Sequence, residues 1–144
     1  MTILFMVKFN YNECKLNKKR IPMKKSILIL AMGLFSCSNI PSEKNIKIKD
    51  YEPKATDKLV DIRTAEEFAD GHLKGAVNID FFEDDFLENF EKQYDKEDTV
   101  YIYCKSGGRS SKAYAILEKA GFKNLMHLDG GFMQWSGAGK PVEK

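Results

Sequence analysis

Short apolar runs at 58–63, 76–79, 98–104 and 124–128 alternate with stretches of helical pattern, and this alternation narrows the fold more than any other feature. "KLVDIR", "AVNI", "DTVYIYC" and "NLMHL" are too short for helices and are bounded by charge or glycine, as strands buried on both faces are. A further alternating strand is expected over Asn45–Lys49. Between the runs, Thr64 can cap the helix "AEEFAD": Glu67 lies three residues on, as a capping box requires, and Gly71 is the stop. "FFEDDFLENFEKQY" (81–94) sets Phe82, Phe86, Leu87 and Phe90 at helical spacing with acids opposite, an amphipathic helix. Ser110–Ala120 reads as another, with Ala113, Ile116, Leu117 and Ala120 inward and Gly121 ending it. The expected fold class is therefore α/β, a mainly parallel sheet with helices on both faces. Such sheets bind ligands beyond the carboxyl ends of their strands, and Cys104 ends the strongest strand.

"CKSGGRS" (104–110) follows that strand and leads into a helix. Gly107 and Gly108 lack a Cβ and can take positive φ, which lets backbone N–H groups turn inward. Converging N–H donors at a helix N-terminus make an anion cradle. The same positive end favours a thiolate, whose ordinary pKa of about 8.5 falls at helix N-termini or beside cations. Lys105 and Arg109 add charge, and Ser106, Ser110 and Ser111 add hydroxyl donors. The expected product is an exposed nucleophilic sulfur.

Charge is unevenly placed. The net +2 conceals seven Lys/Arg against one Asp/Glu in 1–36, and 16 against 20 in 37–144. The region that carries the strands is thus mildly acidic, which removes the electrostatic basis for a nucleic-acid footprint. "MKKSILILAMGLFSCSN" (23–39) has a basic start at Lys24 and Lys25, an apolar run from Ile27 to Phe35, and then Ser36 and Cys37. That is the layout of a secretory signal, and the run is too short for an ordinary membrane span. The cysteine after the run resembles the lipobox of bacterial lipoproteins, with Cys37 the lipidated residue, although Phe35 is larger than the residue usual there. Residues 1–22 then form an upstream extension, and the pattern favours Met23 over Met1 as the start. The expected organisation is an extension and signal segment over 1–37, a polar tether over 38–44 and a folded domain over 45–144. The expected location is the periplasmic side of a bacterial envelope, with membrane attachment through lipid alone. Of the cysteines, Cys14 and Cys37 lie in the leading segment, so Cys104 stands alone in the domain. One thiol with His72 and His127 at no ligand-like spacing makes neither a disulfide nor a zinc site, and no metal or cofactor is expected.

At these residues the sequence resembles the rhodanese-domain sulfurtransferases. "CKSGGRS" is similar to their active-site loop, "LVDIRTAEEFADGHLKGAVNI" (59–79) to their upstream signature and "LDGGFMQW" (128–135) to their closing motif, in the family's order and over about residues 45–138. The resemblance implies a rhodanese-like fold and a thiosulfate sulfurtransferase that needs no cofactor. Cys104 would take sulfane sulfur from a small anionic donor such as thiosulfate and pass it from a persulfide to cyanide, a thiol or a thiol-bearing protein. It further implies that Lys105, Ser106, Gly107, Gly108, Arg109 and Ser110 bind donor and persulfide, with backbone N–H groups of 105–109 on the anion. Related phosphatases use a loop one residue longer than the six residues from Cys104 to Arg109, which sets the phosphatase and arsenate-reductase readings aside. The competing class is a sulfur carrier or partner-binding module on the same fold without turnover.

Other matching residues carry structural expectations. Asp61 and Arg63 support the fold near the site, and His72 makes structural hydrogen bonds. His127 is a satisfied or solvent-facing strand residue, Trp135 is core, and Glu83–Glu91 is a solvated helix face.

Overall fold

The computed structural model describes residues 40–144. The expected signal segment, with Cys14 and Cys37, lies outside them, as do residues 38 and 39 of the expected tether. Strands β1 (Asn45–Lys47), β2 (Lys58–Asp61), β3 (Val77–Asn78), β4 (Thr99–Tyr103) and β5 (Asn124–Asp129) form one sheet in the order β1-β5-β4-β2-β3. Every pairing is parallel. The strand that ends at the cysteine is the central one. Helices α1 (Ala65–Ala69), α2 (Phe86–Gln93), α3 (Gly108–Lys119) and α4 (Gly131–Gly137) make the connections and the closing segment.

The pleat explains why β4 must be covered on both sides. Val100, Ile102 and Cys104 face one layer with Phe86 and Phe90 of α2 and Ala113, Tyr114 and Leu117 of α3. Tyr103 faces the other layer with Leu128, Trp135 of α4, and Ile48 and Tyr51. Each alternate side chain thus enters a different core, and a continuous apolar run is the result.

The helix ends differ from expectation in instructive ways. At α1 the capping box forms as read: Thr64 Oγ1 accepts from Glu67 N, and Glu67 Oε2 accepts from Thr64 N. Helix α2 begins only at Phe86, because Asp80 Oδ1 accepts from Phe82 N and folds 80–85 into turns. Phe82 is therefore not on an inward helical face and is 65% exposed. The first strand stops at Lys47, where Ile48–Asp50 tightens into a 3-10 turn that buries Ile48. Residues 40–44 lie against the domain: Ile40 packs on the α2–α3 core, and Lys44 Nζ donates to Lys123 O at 2.6 Å.

Candidate functional site

Helix α3 starts at its loop earlier than the pattern at Ser110 implies. Gly107 has φ +102°, a left-handed conformation, while Gly108 is already helical and exposed. Only the first glycine is required by backbone geometry. A Cβ on it would sit 3.0 Å from Asp129 Oδ1. The loop is held from outside by helix α4. Phe132 N donates to Cys104 O at 2.8 Å and Met133 N donates to Lys105 O at 3.0 Å. Two otherwise unpaired N–H groups of the α4 N-terminus thus anchor the loop carbonyls. Gly131 makes this possible: a Cβ there would overlap Cys104 O and lie 2.7 Å from the Lys105 carbonyl carbon.

With two of its carbonyls anchored on α4, the loop turns N–H donors inward. Gly107 N donates to Cys104 Sγ at 3.1 Å, and the Ser110 hydroxyl lies 3.5 Å from the sulfur. The N–H groups of Ser106 and Ser110 also favour the charged form. Burial pushes the thiol up, but these hydrogen bonds outweigh it and hold Cys104 below the ordinary thiol range. Cys104 is only 1% exposed, which corrects the expectation of an exposed sulfur. Its strand-end position turns the side chain into the α2–α3 layer rather than to the surface. Lys105 and Ser106 are exposed at the rim.

Arg109 does not stand free beside the sulfur. Its Nη1 and Nη2 donate to Glu67 Oε2 and Oε1 at 2.7 and 3.0 Å, and its guanidinium lies 5.4 Å from the Phe82 ring. The guanidinium in turn holds the Glu67 carboxyl below the usual carboxylate range. Local spacing assigns Glu67 only to the cap. Its partner lies 42 residues away, beyond any local pattern.

Asp61 and Arg63 form a buried pair. Arg63 Nε and Nη2 donate to the Asp61 carboxylate at 2.9 and 2.6 Å, Nη2 donates to Gly71 O at 2.7 Å, and the guanidinium stacks 4.1 Å from Phe132. Asn78 Nδ2 ties both backbones by donating to Asp61 O and Arg63 O. His72 is not brought to the sulfur. Its Nδ1 donates to Phe68 O at 3.0 Å, its ring stacks on Phe68, and its backbone bridges to Glu143. Trp135 is buried and donates to Pro141 O. His127 is buried on the Cys104 side, with Nε2 2.8 Å from Ser110 Oγ and Nδ1 2.8 Å from Asn45 Oδ1. The sequence held a signal for it: His127 has the strand parity of Leu125, which points into the same layer. Among the described residues, no group of three His, Cys, Asp or Glu side chains could hold a metal.

A parallel α/β domain with a donor-rimmed thiol at the end of its central strand can stabilise a sulfur anion there. The family model described as "Rhodanese-like domain" matches residues 44–138, and the chain belongs to that family. It is 32% identical over 115 residues to a protein named thiosulfate sulfurtransferase 16, chloroplastic, of Arabidopsis thaliana, covering 74% of this chain and 96% of that one. It is 29% identical over 109 residues to a putative sulfur carrier protein of Bacillus subtilis, covering 73% of this chain and 57% of the relative. Among solved structures, a rhodanese-like domain of an Anabaena protein superposes with a TM-score of 0.56 at 27% identity. That match covers 61% of this chain and 99% of the domain. A Staphylococcus saprophyticus protein superposes with a TM-score of 0.57 at 29% identity, over 70% of this chain and 99% of that one.

Proposed function

We propose that this protein is a sulfurtransferase that carries sulfane sulfur on Cys104. The observation behind the reading is a thiol held below its ordinary range, despite near-complete burial, by donors aimed at one atom. The Cys104 thiolate attacks the outer sulfur of thiosulfate. A new S–S bond forms, the old one breaks, and sulfite leaves with the bonding electron pair. Cyanide or an acceptor thiolate then attacks the outer persulfide sulfur and returns Cys104 as the thiolate, in two half-reactions with ping-pong kinetics. The N–H groups of the loop receive the persulfide anion. Lys105 at the rim and Arg109, if it exchanges Glu67 for donor oxygens, supply the positive charge that draws the anion in.

The protein named as a putative sulfur carrier supports a second reading, in which the persulfide forms and is handed on only to a protein partner. The basic, apolar and cysteine order of residues 23–39 supports attachment to a bacterial envelope through lipid on Cys37, facing the periplasm. A recessed sulfur suits such an oxidising location, because access limits over-oxidation.

Intact-mass spectrometry of the reduced protein before and after thiosulfate, beside Cys104→Ser, is the test. A gain of one sulfur in the wild type alone, removed by cyanide with turnover, is the expected result. Stable loading without turnover favours the carrier, and no loading of folded, reduced protein refutes the thiosulfate-sulfurtransferase reading.

A further inference from the structure

His127 and Asn45 are not explained by packing alone. His127 is 3% exposed, yet both ring nitrogens meet polar partners from different elements. Asn45 on edge strand β1 is its register partner on β5, and presents Oδ1 to Nδ1 at 2.8 Å. A carboxamide oxygen only accepts, so Nδ1 carries a proton, and in the neutral ring Nε2 then offers a lone pair. That lone pair faces Ser110 Oγ at 2.8 Å, and the same hydroxyl lies 3.5 Å from Cys104 Sγ. Gly107 O, 3.3 Å from Nε2, is a second acceptor ready for a proton there.

We propose that His127 is a positioning residue that accepts the Cys104 proton through Ser110 and is itself oriented by Asn45. The thiol gives its proton to Ser110 Oγ as the serine gives its own to His127 Nε2, so one proton moves and no other reagent is needed. The product is a thiolate that accepts from the Ser110 hydroxyl, and an imidazolium that donates to Asn45 Oδ1 and to Ser110 Oγ or Gly107 O. Every donor in the cluster has an acceptor in both states. Burial holds a lone imidazole below its usual range. The transfer, however, leaves the net charge of the cluster unchanged, so it avoids the cost of one isolated buried charge. The charged groups nearest the ring are Asp129 on its own strand and Lys47 on β1, which pair with each other, and Cys104 beyond Ser110.

The inference rests on Cys104 being the reactive thiol, but its test needs no sulfur donor and so fails separately from the sulfurtransferase reading. Two measurements on the full reduced chain decide it. Ring nitrogen NMR shifts of His127 should show imidazolium in the wild type where Cys104 is ionised, and neutral imidazole at the same pH in Cys104→Ser. Alkylation of Cys104 by iodoacetamide, resolved by peptide mass against pH, should move its midpoint upward in His127→Gln. That variant keeps hydrogen-bonding atoms but cannot take a proton. Its alkylation rate at a pH below the midpoint should fall about tenfold for every pH unit by which the midpoint rises. His127→Phe should raise the midpoint likewise, and neither should raise it further in a Ser110→Ala background. A neutral ring at a pH just above the alkylation midpoint of Cys104, or a wild-type midpoint in folded His127→Gln, overturns the proposal.

Discussion

The Asp61–Arg63 pair allows a worked forecast. Its side chains are 0% and 4% exposed, so neither charge is shared with solvent. Asp61→Ala leaves the guanidinium with Gly71 O and the Phe132 face, and removes every carboxylate contact. Removing one partner of a buried pair costs about 3–5 kcal/mol. For a domain of this size each 1 kcal/mol lowers Tm by about 4–8 °C, so a fall of more than about 12 °C is expected. Replacing both, as Asp61→Leu with Arg63→Met, leaves Gly71 O and the residue 63 backbone N–H unpaired. Asp61→Ala orphans that N–H too, so the double variant has one bare carbonyl, about 1–3 kcal/mol, in place of an uncompensated buried guanidinium. The double variant should therefore be more stable than Asp61→Ala alone. Urea titration of both proteins measures this, with thermal melting as a second probe. A cost below about 1 kcal/mol for Asp61→Ala, or a double variant weaker than the single one, refutes the argument from buried charge.

Four further outcomes are expected. Arg109 depresses the Glu67 carboxyl, so its contribution is complete above the ordinary carboxylate value of about 4.3 and is lost as pH falls through the lower folded value. The stability gap between wild type and Glu67→Gln, followed by urea midpoints, should accordingly close on acidification through that window. Gly131→Ala should destabilise the chain and prevent sulfur loading, because its Cβ overlaps Cys104 O. Gly108→Ala, with nothing within 4 Å and a helical backbone, should gain about 0.4–1 kcal/mol in the same denaturation assay. Phe90→Ala, at 0% exposure, should cost about 3–5 kcal/mol, whereas Phe82→Ala, 65% exposed, should cost less than about 0.5 kcal/mol. Equal costs would mean that α2 extends back through Phe82.

Sequence alone determined whatever depends on neighbours along the chain. Alternating apolar runs and helical spacings identify a parallel α/β sheet, and they place Cys104 beyond the end of its best strand. Thr64 and Glu67 make their cap within a single turn, so their spacing suffices to reveal it. Local reading failed where a contact crosses the fold. Glu67 meets Arg109 across 42 residues, and His127 meets Asn45 across 82. Helix α2 lost its first turn to an Asp80 side chain that competed for the backbone. Cys104 was expected at the surface because its loop is polar and glycine-rich, yet strand parity turns its side chain into the α2–α3 core. A sequence records which groups are available. Only the packing of sheet against helix decided which of them are shielded from water and which meet each other, and those two facts set the charge state of the sulfur.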